Sequence, residues 1–297
     1  MKQEKKTTNK RVFRPLEDLD LIDNFLFQQL LSQEGDGEEF AKILLSTILE
    51  KPIRKVRITP QKTILGADTC NHGVRLDAYI EDVSDLENPG LSDAELLPDI
   101  YDIEPNKTYE KDTLPKRMRY YHGLIDSQLL STGSNYIKLP NVVIIFILPY
   151  DPFDKNRMVY TMQSSCKEDS SVNYDDGARK IFLYTKGTEG NPSQSLKDML
   201  KYIQKSTEDN VTNPDLASIQ QLVTKVKHKK EVGINYMKSW EVEEMVRKEG
   251  YQDGFSDGTE QMAQLILRLT ESGRTEDITK SALDIEYRKK LFKEFNL

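Results

Sequence analysis

Val74-Arg75-Leu76-Asp77-Ala78-Tyr79-Ile80 and Tyr101-Asp102-Ile103-Glu104-Pro105-Asn106 are the two segments on which the fold turns. In the first, Val74, Leu76, Ala78 and Ile80 alternate with Arg75, Asp77 and Tyr79. In the second, Tyr101 and Ile103 alternate with Asp102, Glu104 and Asn106. A period of two is the pattern of a strand with one face on a core. If the strands pair, Asp77 and Glu104 can share a face of one sheet, where opposite Cβ atoms lie about 5 Å apart. Two carboxylates that close repel unless a cation lies between them, and oxygen donors suit Mg²⁺ or Mn²⁺. Charges on the solvated face of a hairpin are also ordinary, so spacing alone leaves surface decoration open.

The surrounding charge is uneven. No Lys or Arg occurs between Arg75 and Lys107, whereas Glu81, Asp82, Asp85, Glu87, Asp93, Glu95, Asp99, Asp102 and Glu104 crowd the same interval. Basic residues gather in the N-terminal arm, at Arg54-Lys55-Arg57, from Lys111 to Arg119 and from Lys225 to Lys230. A basic rim around an acidic, metal-loaded centre suits a DNA enzyme, and it equally suits solvated faces. The net charge of −7 argues against a protein that coats nucleic acid non-specifically, because phosphate affinity comes from Lys and Arg.

The chain's 297 residues can build one sizeable core with an appendage, or two small domains. The longest apolar run, Val142 to Leu148, falls far short of the roughly 20 residues that span a bilayer, so no membrane partner is expected. Met1-Lys2-Gln3-Glu4-Lys5-Lys6 lacks the apolar core of a signal peptide, so the expected location is cytoplasmic. Cys70 and Cys166 form no disulfide framework, and the scattered His72, His122 and His228 argue against zinc.

Residues 1–15 carry Lys2, Lys5, Lys6, Lys10, Arg11 and Arg14 against Glu4 alone and are expected to be a disordered basic arm. Apolar spacing predicts a helix from Leu16 to Leu31 and another from about Phe40 to Leu49, ending before Pro52. Short strand-like pieces follow at Ile53–Ile58 and Thr63–Ala67. Pro89-Gly90, Pro98 and many acids mark residues 83–99 as an exposed loop. A helix is predicted over Leu114–Leu130, and the doubly apolar Val142–Leu148 predicts a central strand covered on both sides. A hairpin over Met158–Gln163 and Lys180–Tyr184 completes an α/β layered core. Helices are predicted beyond residue 190, at 193–205, 215–228, 231–249 and 259–271. Gly250, Gly254 and Gly258 recur every four residues, as a stripe for close helix approach or as a flexible linker.

Several motifs follow one another in a familiar order. They are Leu21-Ile22-Asp23-Asn24-Phe25-Leu26-Phe27, Val74-Arg75-Leu76-Asp77, Tyr101-Asp102-Ile103-Glu104 and Leu114-Pro115-Lys116-Arg117-Met118-Arg119-Tyr120-Tyr121. Ile145-Phe146-Ile147-Leu148-Pro149-Tyr150-Asp151-Pro152-Phe153 and Asp176-Gly177-Ala178-Arg179-Lys180-Ile181-Phe182-Leu183-Tyr184 close the series. Over about residues 16–250 the chain resembles the PD-(D/E)XK nuclease family transposases, also called recombination-promoting nucleases.

The resemblance implies a restriction-endonuclease-like core over 16–190, a helical extension over 191–249 and a glycine-spaced helical tail over 250–297. It implies Mg²⁺- or Mn²⁺-dependent hydrolysis of DNA, with Asp77, Glu104 and the backbone carbonyl of Pro105 as metal ligands. The family's Lys or Gln two residues after the Glu is here Asn106, the implied water-positioning residue, with Lys107 adjacent. The family's Asp-x-x-Phe-Lys on the first helix is here Asn24-Phe25-Leu26-Phe27-Gln28, with Asp23 next door. Asp23, Asn24, Gln28 and Lys107 are therefore accessory candidates, and Arg117, Arg119 and Tyr120 are implied DNA contacts. The tail implies a homo-oligomer. Charge lost at positions 24, 28 and 106 keeps an alternative open: a catalytically degenerate DNA- or protein-binding member of the same fold.

Overall fold

The computed structural model describes residues 13–65, 72–84, 98–130, 133 and 135–297. The expected basic arm up to Arg11, Cys70 and most of the expected acidic loop lie outside the described residues. The chain divides into two compact units between Gly233 and Ile234.

The first unit is built on a six-stranded mixed sheet in the order β1-β2-β3-β4-β6-β5. The strands are β1 (Val56–Ile64), β2 (Val74–Asp82), β3 (Asp99–Pro105), β4 (Val142–Leu148), β5 (Val159–Met162) and β6 (Ala178–Tyr184). β1 to β3 run antiparallel as a meander, β3, β4 and β6 run parallel, and β5 pairs antiparallel with β6. Every side chain of β4 is buried, as its doubly apolar sequence predicts.

Helix α3 (Leu114–Leu129) lies on the sheet through Leu114, Met118, Tyr121 and Ile125, which share a core cluster with Ile100, Ile144 and Phe146. Helices α1 (Asn24–Leu31) and α2 (Asp36–Leu49) pack on β1, and α1 also reaches β2 and β3. Close packing of α2 behind α1 requires a bare backbone at Gly37, where a Cβ would lie 2.4 Å from the Leu31 carbonyl oxygen. Helices α4 (Gln194–Gln204) and α5 (Pro214–Lys227) complete this helical layer against α1 and α2.

Three expectations need correction. The helix read from Leu16 to Leu31 is a short 3-10 turn at Leu16–Asp18 followed by α1, because Asp20-Leu21-Ile22-Asp23 forms a turn closed by the Asp23 N–H on the Asp20 carbonyl. The two strand pieces read around Pro60 are the single strand β1, which tolerates that proline at a sheet edge. The helices read at 231–249 and 259–271 are the continuous α6 (Lys230–Glu271), in which Gly250, Gly254 and Gly258 cost about 1 kcal/mol each without breaking it. Helices α7 (Thr275–Leu283) and α8 (Ile285–Glu294) are additional.

The second unit has its own small core of Leu265, Leu269 and Leu291, with Ile278, Tyr287 and Phe292 against it. Arg274 ties α7 to the end of α8 by ion pairs to Asp277 and Glu294. Among the described residues no helix is long and apolar enough to cross a membrane.

Candidate active site

The β2–β3 ladder runs from Asp82↔Asp99 to Tyr79↔Asp102 and then stops. Carried two residues further, that register sets Asp77 opposite Glu104. There the Glu104 side chain enters: its Oε1 accepts the Asp77 backbone N–H at 2.8 Å. Both residues are buried. The two carboxylates expected across adjacent strands are thus brought together, and the alternative of exposed surface charges does not apply to them.

Helix α1 engages Asp77. Asn24 Nδ2 donates to Asp77 Oδ2 at 2.7 Å, and Gln28 Nε2 donates to Asp77 Oδ1. Gln61 Nε2 in turn donates to Gln28 Oε1. Gln61 is skipped in the β1–β2 pairing, between Pro60↔Ala78 and Lys62↔Leu76, and has φ +52°. A left-handed L residue within a strand costs about 1–2 kcal/mol and places strain beside the carboxylates.

Helix α3 engages Glu104. Arg117 Nη2 lies 3.3 Å from Glu104 Oε2, Nη1 donates to Glu110 Oε2 at 2.9 Å, and Nε donates to the Tyr121 hydroxyl at 2.9 Å. The guanidinium lies 5.2 Å from the Tyr121 ring centroid and 5.3 Å from that of Phe146.

Burial first, and then the charge of Asp77, push the Glu104 carboxyl up to about 8. Burial also raises Asp77, against the opposing bonds from Gln28 and Asn24. Asp102 is fully buried, and neither of its carboxylate oxygens has a hydrogen-bond partner among the described residues. Burial, followed by Glu104 and Asp77, holds it well above the usual carboxylate range. An uncompensated buried carboxylate costs several kcal/mol, so this group takes up protons or a cation.

The remaining candidates divide. Asn106 Oδ1 accepts the Thr108 N–H at 2.8 Å in a turn that ends β3, and its buried Nδ2 has no partner among the described residues. Pro105 is the last residue of β3, beside Ile147. Lys107 pairs with Asp23 at 2.5 Å, and Arg14 joins them at 3.1 Å, so these cations serve the start of α1. Tyr120 donates to the His72 carbonyl, and Arg119 is exposed, two residues and about 200° around α3 from Arg117.

Sequence reasoning missed Asp102, Gln61 and Glu110 as neighbours of the site. The alternation had already put Asp102 on the side of Glu104. Its burial appears only on folding.

An all-oxygen pair with excess buried negative charge fits a hard divalent cation in kind. Among the described residues, however, no group of three or more His, Cys, Asp or Glu side chains is arranged to hold a metal ion. Set against known proteins, the chain matches no family model, no curated protein and no solved structure.

Proposed function

We propose that the chain is a restriction-endonuclease-like phosphodiesterase of the PD-(D/E)XK kind, acting on DNA in recombination or transposition. The observation that carries this reading is the juxtaposition of Asp77 and Glu104, with the Glu104 carboxylate taking the place of the next ladder partner. Asp77, Glu104 and the Pro105 carbonyl are the groups that would hold Mg²⁺ or Mn²⁺. The bound ion would supply a water of lowered pKa and neutralise charge on the scissile phosphate. Asn24 and Gln28 fix the Asp77 carboxylate through both oxygens, as outer partners fix a ligand in a built site.

A second reading, a degenerate member that binds DNA or protein without cutting it, is favoured by Asn106. Its acceptor oxygen is committed to the turn at Thr108, so it is poorly placed to aim a water. Self-association through α6 stays part of the proposal. It is supported by open space around Gly250, Gly254 and Gly258 and by the exposed Tyr251 and Phe255 beside them.

Conversion of supercoiled plasmid with Mg²⁺, Mn²⁺ or EDTA separates the readings. Cleavage that needs the divalent ion and disappears in Asp77→Ala and Glu104→Ala supports the nuclease. DNA binding without cleavage supports the degenerate member, and cleavage that survives both substitutions rejects the site.

A further inference from the structure

The usual nuclease motif carries Lys or Gln two residues after its Glu, and this chain has no cation available there. Asn106 is neutral and bonded into a turn, while Lys107 is spent on Asp23. A fixed positive charge nevertheless reaches Glu104, from a different element: Arg117 on α3.

We infer that Arg117 is the catalytic cation of this centre and binds a non-bridging oxygen of the scissile phosphate; the inference rests on the nuclease reading above. Three observations carry it. Of the five N–H donors of a guanidinium, three are engaged among the described residues, by Tyr121, Glu110 and Glu104, and each terminal nitrogen carries a second N–H. Donors on two neighbouring nitrogens suit a phosphate, to which Lys offers only a point charge. The side chain is 30% exposed, while its Glu104 partner is 3% exposed, so the guanidinium spans the boundary between the buried carboxylates and solvent. The Tyr121 and Phe146 rings and the Glu110 carboxylate hold it in one orientation, so its charge is aimed before substrate arrives.

Arginine keeps its protons, so the role is electrostatic. The water oxygen forms the new P–O bond as the P–O bond to the leaving sugar oxygen breaks. One water proton goes to solvent, the leaving oxygen takes a proton up, and Arg117 donates hydrogen bonds throughout.

The test compares Arg117→Gln and Arg117→Lys with wild type in the full-length protein. It measures plasmid cleavage with Mg²⁺, DNA binding with Ca²⁺ in its place over a range of salt, and thermal unfolding. In Arg117→Gln we expect kcat to fall about 100-fold or more, the scale for losing one oriented donor at a developing charge. We also expect the slope of log affinity against log salt to shrink by about 0.9, the value of one phosphate contact. Arg117→Lys should keep the salt slope and still lose most of kcat, because it cannot fork.

An unchanged kcat in Arg117→Gln, in a protein whose cleavage still requires Asp77, overturns the assignment and leaves the nuclease standing. A reduced salt slope with unchanged kcat makes Arg117 a DNA contact only and also overturns it. Loss of the unfolding transition in both variants assigns Arg117 a structural role. If wild type cuts nothing, the nuclease reading falls and this assignment falls with it.

Discussion

Glu104 accepts the backbone N–H of Asp77 at 2.8 Å, at the point where the β2–β3 ladder ends. A side-chain carboxylate thus does the work of a strand partner, and it does so with a second carboxylate attached to the residue it bonds. The arrangement holds two acids together at the cost of raising both.

That cost has a sign. The Glu104 carboxyl ordinarily titrates near 4.5 and here near 8, so between those values the folded chain holds more protons than the unfolded one. Its contribution to stability is present below pH 4.5 and is lost as pH rises through 8. Glu104→Gln keeps an acceptor for the Asp77 N–H and removes the titration. Thermal unfolding from pH 5 to 9 in EDTA should show wild type falling relative to the variant across this window. Parallel curves would contradict the shift.

His122 predicts the opposite slope. Burial, then the nearby Lys180, lower its pKa to about 4 from 6.5, against the bond to the Arg179 carbonyl. The unfolded chain binds more protons between those values, so this contribution is present above pH 6.5 and is lost as pH falls through 4. His122→Gln should flatten the acid limb of the stability profile, and an unaltered acid limb would refute it.

Position 106 tests the Arg117 assignment. Asn106→Lys gives up the Thr108 turn bond, a loss of about 0.5–1.5 kcal/mol of stability, and adds a cation two residues after Glu104. With Arg117 already at the site, plasmid cleavage by the folded variant should stay close to that of wild type. A rise of about 100-fold, the low end for a positioned group, would mean that Arg117 does not fill this role.

In α6, a Cβ added at Gly250, Gly254 or Gly258 meets nothing within 4 Å. Ala at all three should therefore stabilise the helix, by roughly 1 kcal/mol per site. If the glycines let a second copy approach, the same variant should dissociate it in light scattering. A stable assembly of unchanged mass would remove them from any interface.

Much of this was legible in the residues. The alternation around Asp77 and Glu104 gave β2 and β3, and the apolar run at Val142–Leu148 gave the buried central strand. The register that aligns Asp77 with Glu104 depends on where the ladder starts, which no local pattern states. Asp102 alternates with apolar neighbours as a solvent-facing residue does, yet it is fully buried in the folded chain. Gln61 was invisible because its role comes from a backbone conformation, and Arg117 entered only as an implied DNA contact because its acidic partners lie on β3 and in the loop before α3. The glycines of α6 suggested a break because their local cost outweighs any single neighbour. The helix formers on both sides outweigh them together.

We propose that Asp77 and Glu104 share a divalent cation, and calorimetric titration with Mn²⁺ measures that sharing. The titration should show a single tightly held ion per chain, with affinity rising toward pH 8 as the Glu104 proton is displaced, and loss of that binding in Asp77→Ala and Glu104→Ala. Absence of Mn²⁺ uptake by the wild-type chain, or equal uptake by both variants, would contradict it.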